Sequence, residues 1–140
     1  MSEENVEIVR RLVGGFQGRF DQGYLSGGFD LGLVTDDYEW VLEGGSFEGK
    51  SVWRGREEWV EFLRLWTEQF DDLSWQIVRL IDAGPNRVVV LMHHSGTGGE
   101  SGVPVEWDNG LVVELKDGRV TRATNYPSHT EALEAAGLSE

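Results

Sequence analysis

The 140-residue chain is long enough for one domain with a real core, and its 39% hydrophobic and 11% aromatic content, with six tryptophans, separates it from acidic disordered tails. Twelve Lys plus Arg against 25 Asp plus Glu leave a formal net charge of −13, a field that repels phosphate backbones and anionic lipid, so neither a nucleic-acid nor a membrane partner is expected. Absence of cysteine excludes disulfides, thiolate catalysis and Cys-based zinc, and with no basic-then-apolar leader and no apolar run near the roughly 20 residues that span a bilayer, a cytoplasmic protein is expected.

The opening MSEENVEIVRRLVGGFQGRF places Ser2 as an N-cap, Glu3 and Glu4 in the first turn, and Val6, Val9, Val13, Phe16 and Phe20 at helical spacing. Gly14 and Gly15 interrupt that helix at a cost of roughly 1 kcal/mol each, so it bends or ends there. The glycine-rich stretch 18–35 reads as a long loop enclosing a short second helix. From Asp36 the period changes to two, with Tyr38, Trp40 and Leu42 on one face and Asp37 and Glu39 on the other, as in a half-buried strand. Trp59, Phe62, Leu63, Trp66 and Phe70 then define an amphipathic helix over 56–70.

Four strands follow: LSWQIVRLI, RVVVLMHHSG, VEWDNGLVVEL and RVTRATNY. Turn signals separate them at Ala83 to Asn86, Gly96 to Pro104 and Lys116 to Gly118, and such short connections imply antiparallel pairing. Ser128-His129-Thr130-Glu131 is a capping box for a short C-terminal helix that Gly137 closes, with Leu138 behind it. Helices followed by a run of strands make an α+β pattern in one domain, residues 1–140: a curved antiparallel sheet wraps around helices and leaves a cone-shaped apolar pocket, suited to a small ligand.

Seven pieces in order, MSEENVEIVRR, DDYEW, VWRGREEWVEFLRLW, LIDAGPNRVVVL, SGVPVE, LKDGRV and EALEAAGL, resemble the SnoaL-like branch of the nuclear transport factor 2-like superfamily. The resemblance covers nearly the whole chain apart from 17–35. It implies a cone-shaped α+β barrel, often a homodimer through the outer sheet face, which Val89, Leu91 and Val112 would furnish here. It also implies cyclase, isomerase or hydrolase chemistry in some members and no known activity in many. The catalytic patterns carry over poorly. Where the ketosteroid isomerases place a base Asp this chain has Leu42, and Gly14, Gly15 and Phe16 stand where their helix-borne Tyr would be. The epoxide hydrolases' Arg-x-Asp is matched only by Glu106-Trp107-Asp108. The cyclases' single acid finds Asp108 or the amide Asn125.

His93 and His94 are neighbours on a strand, so their side chains point to opposite faces and do not share a metal. With the 96–104 turn centred near Glu100, His94 lies across from Trp107 inside the cone and His93 across from Asp108 outside; a slip of one residue would reverse this. Val105, Trp107, Asn109, Leu111, Val113 and Leu115 share the pocket face, which makes Asn109 a buried amide in need of a partner. The site expected from sequence therefore has His94, Asn109 and Tyr126 as acid-base and orienting groups, with Trp40, Met92, Trp107 and Asn125 as lining. No cofactor and no metal are assigned. Burial should keep His94 neutral at pH 7. Two functions stay open: an acid-base enzyme acting on a small apolar or aromatic molecule, and a non-catalytic ligand-binding or dimerisation module of the same fold. His94 as a hydrogen-bonded packing residue belongs to the second.

Overall fold

A computed structural model describes residues 2–13, 17–19 and 31–138. The chain forms α1 (Ser2–Leu12), β1 (Gln17–Arg19), a 3-10 turn (Leu31–Leu33), β2 (Val34–Leu42), β3 (Val52–Arg54), α2 (Gly55–Thr67), β4 (Phe70–Asp82), β5 (Arg87–Gly98), β6 (Pro104–Lys116), β7 (Arg119–Tyr126) and α3 (His129–Ala135). Helix α1 stops just before Gly14. Phe16, Phe20 and most of the expected 18–35 loop and its helix lie outside the described residues. Two boundaries differ from the sequence reading: Gly18 and Arg19, expected to open a loop, pair with β4 together with Gln17, and Phe70 opens β4 instead of closing α2.

The strands make one sheet in the order β1-β4-β5-β6-β7-β2-β3. Its neighbours are antiparallel except β2 and β7, which run parallel with Trp40 beside Ala123 and Leu42 beside Asn125. The sheet is therefore mixed, curved and unclosed, with β1 and β3 at its edges. Hairpin connections dictate only sequential neighbours, and the β2/β7 pair joins segments some eighty residues apart. That pair matters most for function, because it sets the end of β2 against the end of β7.

The two faces of the sheet carry separate cores. On the inner face Val88, Val90 and Met92 of β5 and Leu111, Val113 and Leu115 of β6 pack with Val9 and Leu12 of α1 and Trp59, Phe62 and Leu63 of α2. Full burial of a valine-sized side chain contributes roughly 1.5–3 kcal/mol before chain entropy is charged. On the outer face Val89, Leu91 and Val112 pack under Ala132, Leu133 and Ala136 of α3. These three β-strand residues, expected to furnish a dimer surface, are thus covered by the chain's own last helix.

Local chemistry holds both covering helices in place. The backbone N–H of Arg54 donates to Glu58 Oε1 at 2.8 Å at the start of α2. At α3 the Ser128 hydroxyl accepts from the Glu131 N–H at 3.1 Å, and Leu138 N–H returns to Leu133 O at 2.8 Å past Gly137, whose φ of 76° suits a residue without a Cβ. Gly110 lets α3 approach β6: a Cβ there would lie 2.4 Å from the Ala132 methyl.

Candidate functional site

A cavity of about 480 Å³ opens between α2 and the inner face of β2, β5, β6 and β7. Alternation along the strands decides its lining. β2 contributes Trp40 and Leu42, β5 Met92 and His94, β6 Trp107, Asn109 and Leu111, and β7 Asn125. The helical spacing of α2 adds Trp59, Phe62, Leu63 and Trp66, and the loop after β2 adds Glu43 and Phe47. Aromatic rings dominate: Trp40 and Phe62 have centroids 5.5 Å apart, Phe47 meets Trp66 edge-on at 5.3 Å, and Trp66 meets Trp107 edge-on at 6.1 Å.

The β5/β6 register is the one expected, with His94 opposite Trp107 and His93 opposite Asp108. His94 is 6% exposed and lies flat on the Trp107 indole, centroids 5.0 Å apart with planes 5° from parallel. Its Nε2–H donates to Asn109 Oδ1 at 2.9 Å, and Asn109 Nδ2 in turn donates to Asn125 Oδ1 at 2.5 Å. Burial pushes the His94 pKa down from 6.5 to about 4, outweighing the Asn109 hydrogen bond that favours the cation. The ring is neutral at pH 7.

His93 occupies the opposite face. Its Nδ1 lies 2.7 Å from Asp108 Oδ1 and its Nε2 3.3 Å from Glu106, and the hydrogen bond to Asp108 raises its pKa. His129 also comes to this side of the sheet, donating from Nε2 to the Met92 carbonyl at 2.8 Å. Among the described residues no group of three or more His, Cys, Asp or Glu is arranged to hold a metal ion.

One expected site residue is elsewhere. Tyr126 packs with the outer core beneath α3, across from Gly110, and does not line the cavity. The cause is strand alternation itself: Asn125 and Tyr126 are consecutive in β7, so when one faces in the other faces out. Conversely, Trp59 and Trp66, on the apolar face of the expected amphipathic helix, also wall the cavity. Glu43 and Phe47 are lining residues that the sequence pattern does not mark. Neither carries a periodic signal, since they follow the last residue of β2, and only the β2/β7 pairing brings their loop to the pocket, through the 2.9 Å bond from Glu43 N–H to Asn125 O. Arg54 and Arg56 are structural: Arg54 pairs with Glu39 at 3.0 Å, and Arg56 bonds Asp36 and the Val34 carbonyl at 2.6 and 2.7 Å.

A second, shallower groove of about 680 Å³ on the surface is lined by charged groups including Glu39, Arg54 and Arg122. Glu39 bridges the two arginines, with Arg122 at 2.6 Å, so these charges already answer one another.

The SnoaL-like domain family matches residues 28–123, more than half of the chain and every strand from β2 to the middle of β7. The chain belongs to the SnoaL-like family. Solved structures agree on its fold. A putative SnoaL-like polyketide cyclase from Jannaschia sp. CCS1 is 20% identical with a TM-score of 0.68, over 89% of this chain and 85% of that one. A nuclear transport factor 2-like protein from Burkholderia xenovorans LB400 is 21% identical, covering 97% of each chain, with a TM-score of 0.69. A hypothetical protein of ketosteroid isomerase-like fold from Catenulispora acidiphila DSM 44928, in complex with trimethylamine, is 14% identical, with a TM-score of 0.68 over 95% of this chain and 94% of that one. No curated protein matches. At these identities the likeness establishes the cone fold and leaves the chemistry to the residues of this SnoaL-like chain. None of its described helices is long and apolar enough to cross a membrane.

Proposed function

We propose that the chain binds a small, largely apolar or aromatic molecule in its cone, with His94, Asn109 and Asn125 orienting the ligand. The observation that carries this reading is a cavity of about 480 Å³ walled by aromatic rings and floored by one continuous hydrogen-bonded chain of three side chains. Pockets of a few hundred cubic ångströms with few, convergent polar groups are the usual form of a small-molecule site. Two- and three-ring molecules are of the right size.

Cyclase, isomerase or hydrolase chemistry at this site is the finer reading, and the non-catalytic binding module is its rival. The pKa of His94 favours the rival. A general base works best when its pKa lies near the operating pH, and at about 4 the imidazole is neutral but holds a proton weakly. Turnover would then require the bound ligand to raise the pKa of His94 or the carboxylate of Glu43 at the cavity wall to act instead.

Four of the six tryptophans, Trp40, Trp59, Trp66 and Trp107, line the cavity, so their fluorescence reports its occupancy. Titration with naphthalene should change this emission saturably, and Leu42→Trp, which fills part of the cavity from the end of β2, should abolish the change while the protein stays folded. Equal responses from the two proteins would overturn the reading.

A further inference from the structure

The polar chain has a direction, and its direction selects the ligand. His94 Nε2–H donates to Asn109 Oδ1, which orients the Asn109 amide so that its Nδ2 donates onward to Asn125 Oδ1. Each link uses the donor of one group and the acceptor of the next, so the last amide in line has its oxygen engaged and its NH₂ left over. Asn125 is only partly buried and lines the cavity. Its Nδ2 makes no hydrogen bond to any described residue and is not among the sealed polar atoms of the protein. The cavity thus receives a donor, held in place from behind by Asn109. The charged residues among its described walls are Glu43 and Asp108, both acids, and no Lys or Arg is there to neutralise an anionic ligand.

We propose that Asn125 is the specificity-determining residue of the pocket, selecting a neutral molecule that presents a hydrogen-bond-accepting oxygen, such as a ketone, over the corresponding hydrocarbon and over the corresponding carboxylate. This rests on the binding reading above and adds the chemical class of ligand. An apolar wall accepts any ring of suitable size. A fixed N–H donor in that wall distinguishes among ligands, because a hydrocarbon placed against it leaves a desolvated amide unpaired. The reverse polarity, with Asn109 donating to His94, would turn Asn125 Oδ1 into the cavity and select hydroxyl or amine donors.

Three nearly isosteric probes separate these cases: 2-acetylnaphthalene, 2-isopropenylnaphthalene and 2-naphthoate. Calorimetric titration of the wild-type protein should show the ketone binding about five- to tenfold more tightly than the alkene, the range expected of one neutral hydrogen bond, and the naphthoate more weakly than either. Asn125→Asp keeps the oxygen that Asn109 needs and removes the donor, so it should erase the preference for the ketone; Asn125→Leu should bind ketone and alkene equally well. ¹⁵N-resolved NMR of the free protein should find His94 protonated at Nε2. Alkene and ketone binding equally to the wild type, a ketone preference that survives Asn125→Asp, a naphthoate that binds more tightly than the ketone, or a proton on Nδ1 of His94 would each overturn the assignment. Failure of all three probes to bind would instead sink the small-molecule reading itself.

Discussion

The neutrality of buried His94 should be visible as a pH dependence of stability. Its pKa stands at about 4 in the folded chain against an ordinary 6.5. Above pH 6.5 the imidazole is neutral in both folded and unfolded chains and contributes no pH dependence. As the pH falls from 6.5 toward 4 the unfolded chain takes up a proton that the folded chain refuses, so stability is lost across that window, and below it the loss is complete. At roughly 1.4 kcal/mol per pH unit the gap corresponds to about 3 kcal/mol, a large share of the stability of a domain of this size. His93 works with the opposite sign: its pKa is raised by Asp108, so its contribution is present at low pH and lost as the pH rises through the folded value. Glu39, lowered by Arg122, and Asp108, lowered by His93, lose their contributions only as the pH falls into the carboxylate range.

These overlapping terms make the absolute acid profile a poor test, and a comparison a good one. Urea unfolding of the wild type and of His94→Gln at pH 7, 6, 5 and 4.5 should give curves that diverge below 6.5, with the variant losing less. The difference should approach about 3 kcal/mol near pH 4, where both proteins share every other titration. Parallel profiles would refute the argument, as would a His94 ring signal titrating near 6.5.

Two further outcomes follow from packing. Gly110→Ala puts a methyl 2.4 Å from the Ala132 Cβ and must displace α3 from the sheet; denaturant unfolding should register a loss of about 1–3 kcal/mol, the usual scale of overpacking, and a neutral result would mean that α3 is not seated on β6. Tyr38 is wholly buried with a hydroxyl that makes no hydrogen bond among the described residues, and that burial raises its pKa well above 10. Tyr38→Phe should therefore leave stability unchanged or improve it by about 1 kcal/mol, whereas a fall in the thermal midpoint would reveal a partner for the hydroxyl.

Much of the fold could be read from periodicity, because each long element buries one face. Tyr38, Trp40 and Leu42 at alternate positions and Trp59, Phe62 and Leu63 at helical ones all reach the inner core or its cavity wall. What periodicity does not contain is the pairing of distant strands. The parallel β2/β7 contact cannot be inferred from either segment alone, and it is what brings Glu43 to the wall and places Asn125 beside Leu42. The outer apolar positions show the same limit. Val89, Leu91 and Val112 announce that something covers them, and a partner subunit and the chain's own α3 are equally consistent with a strand pattern. For Tyr126, the chemistry of a phenol at a strand end suggests a site role, but its parity relative to Asn125 decides its face.

The β5–β6 hairpin shows how a turn selects the chemistry of a pocket. Strand parity alone leaves two alternatives, with His94 and Asn109 facing in or His93 and Asp108 facing in. The turn chooses between them: Gly98 N–H bonds Val103 O and Gly102 N–H bonds Gly98 O, both at 2.9 Å, and Gly102 takes a φ of 68° that few other residues tolerate. This geometry sets Thr97 against Pro104, and from there every pair down to Arg87 and Glu114 is in step. Had the strands settled with the other parity, a histidine and a carboxylate 2.7 Å apart would enter the apolar cone as an ion pair, at a desolvation cost of several kcal/mol per charge. On the outer face the same pair is solvated and costs little. The register that the turn imposes is thus also the one that keeps the cavity floor uncharged, since an imidazole and two amides link to one another there without an ionised partner. A floor built in this way can orient a neutral ligand at pH 7, and the charged side chains at the described walls, Glu43 and Asp108, are acids that disfavour an anion.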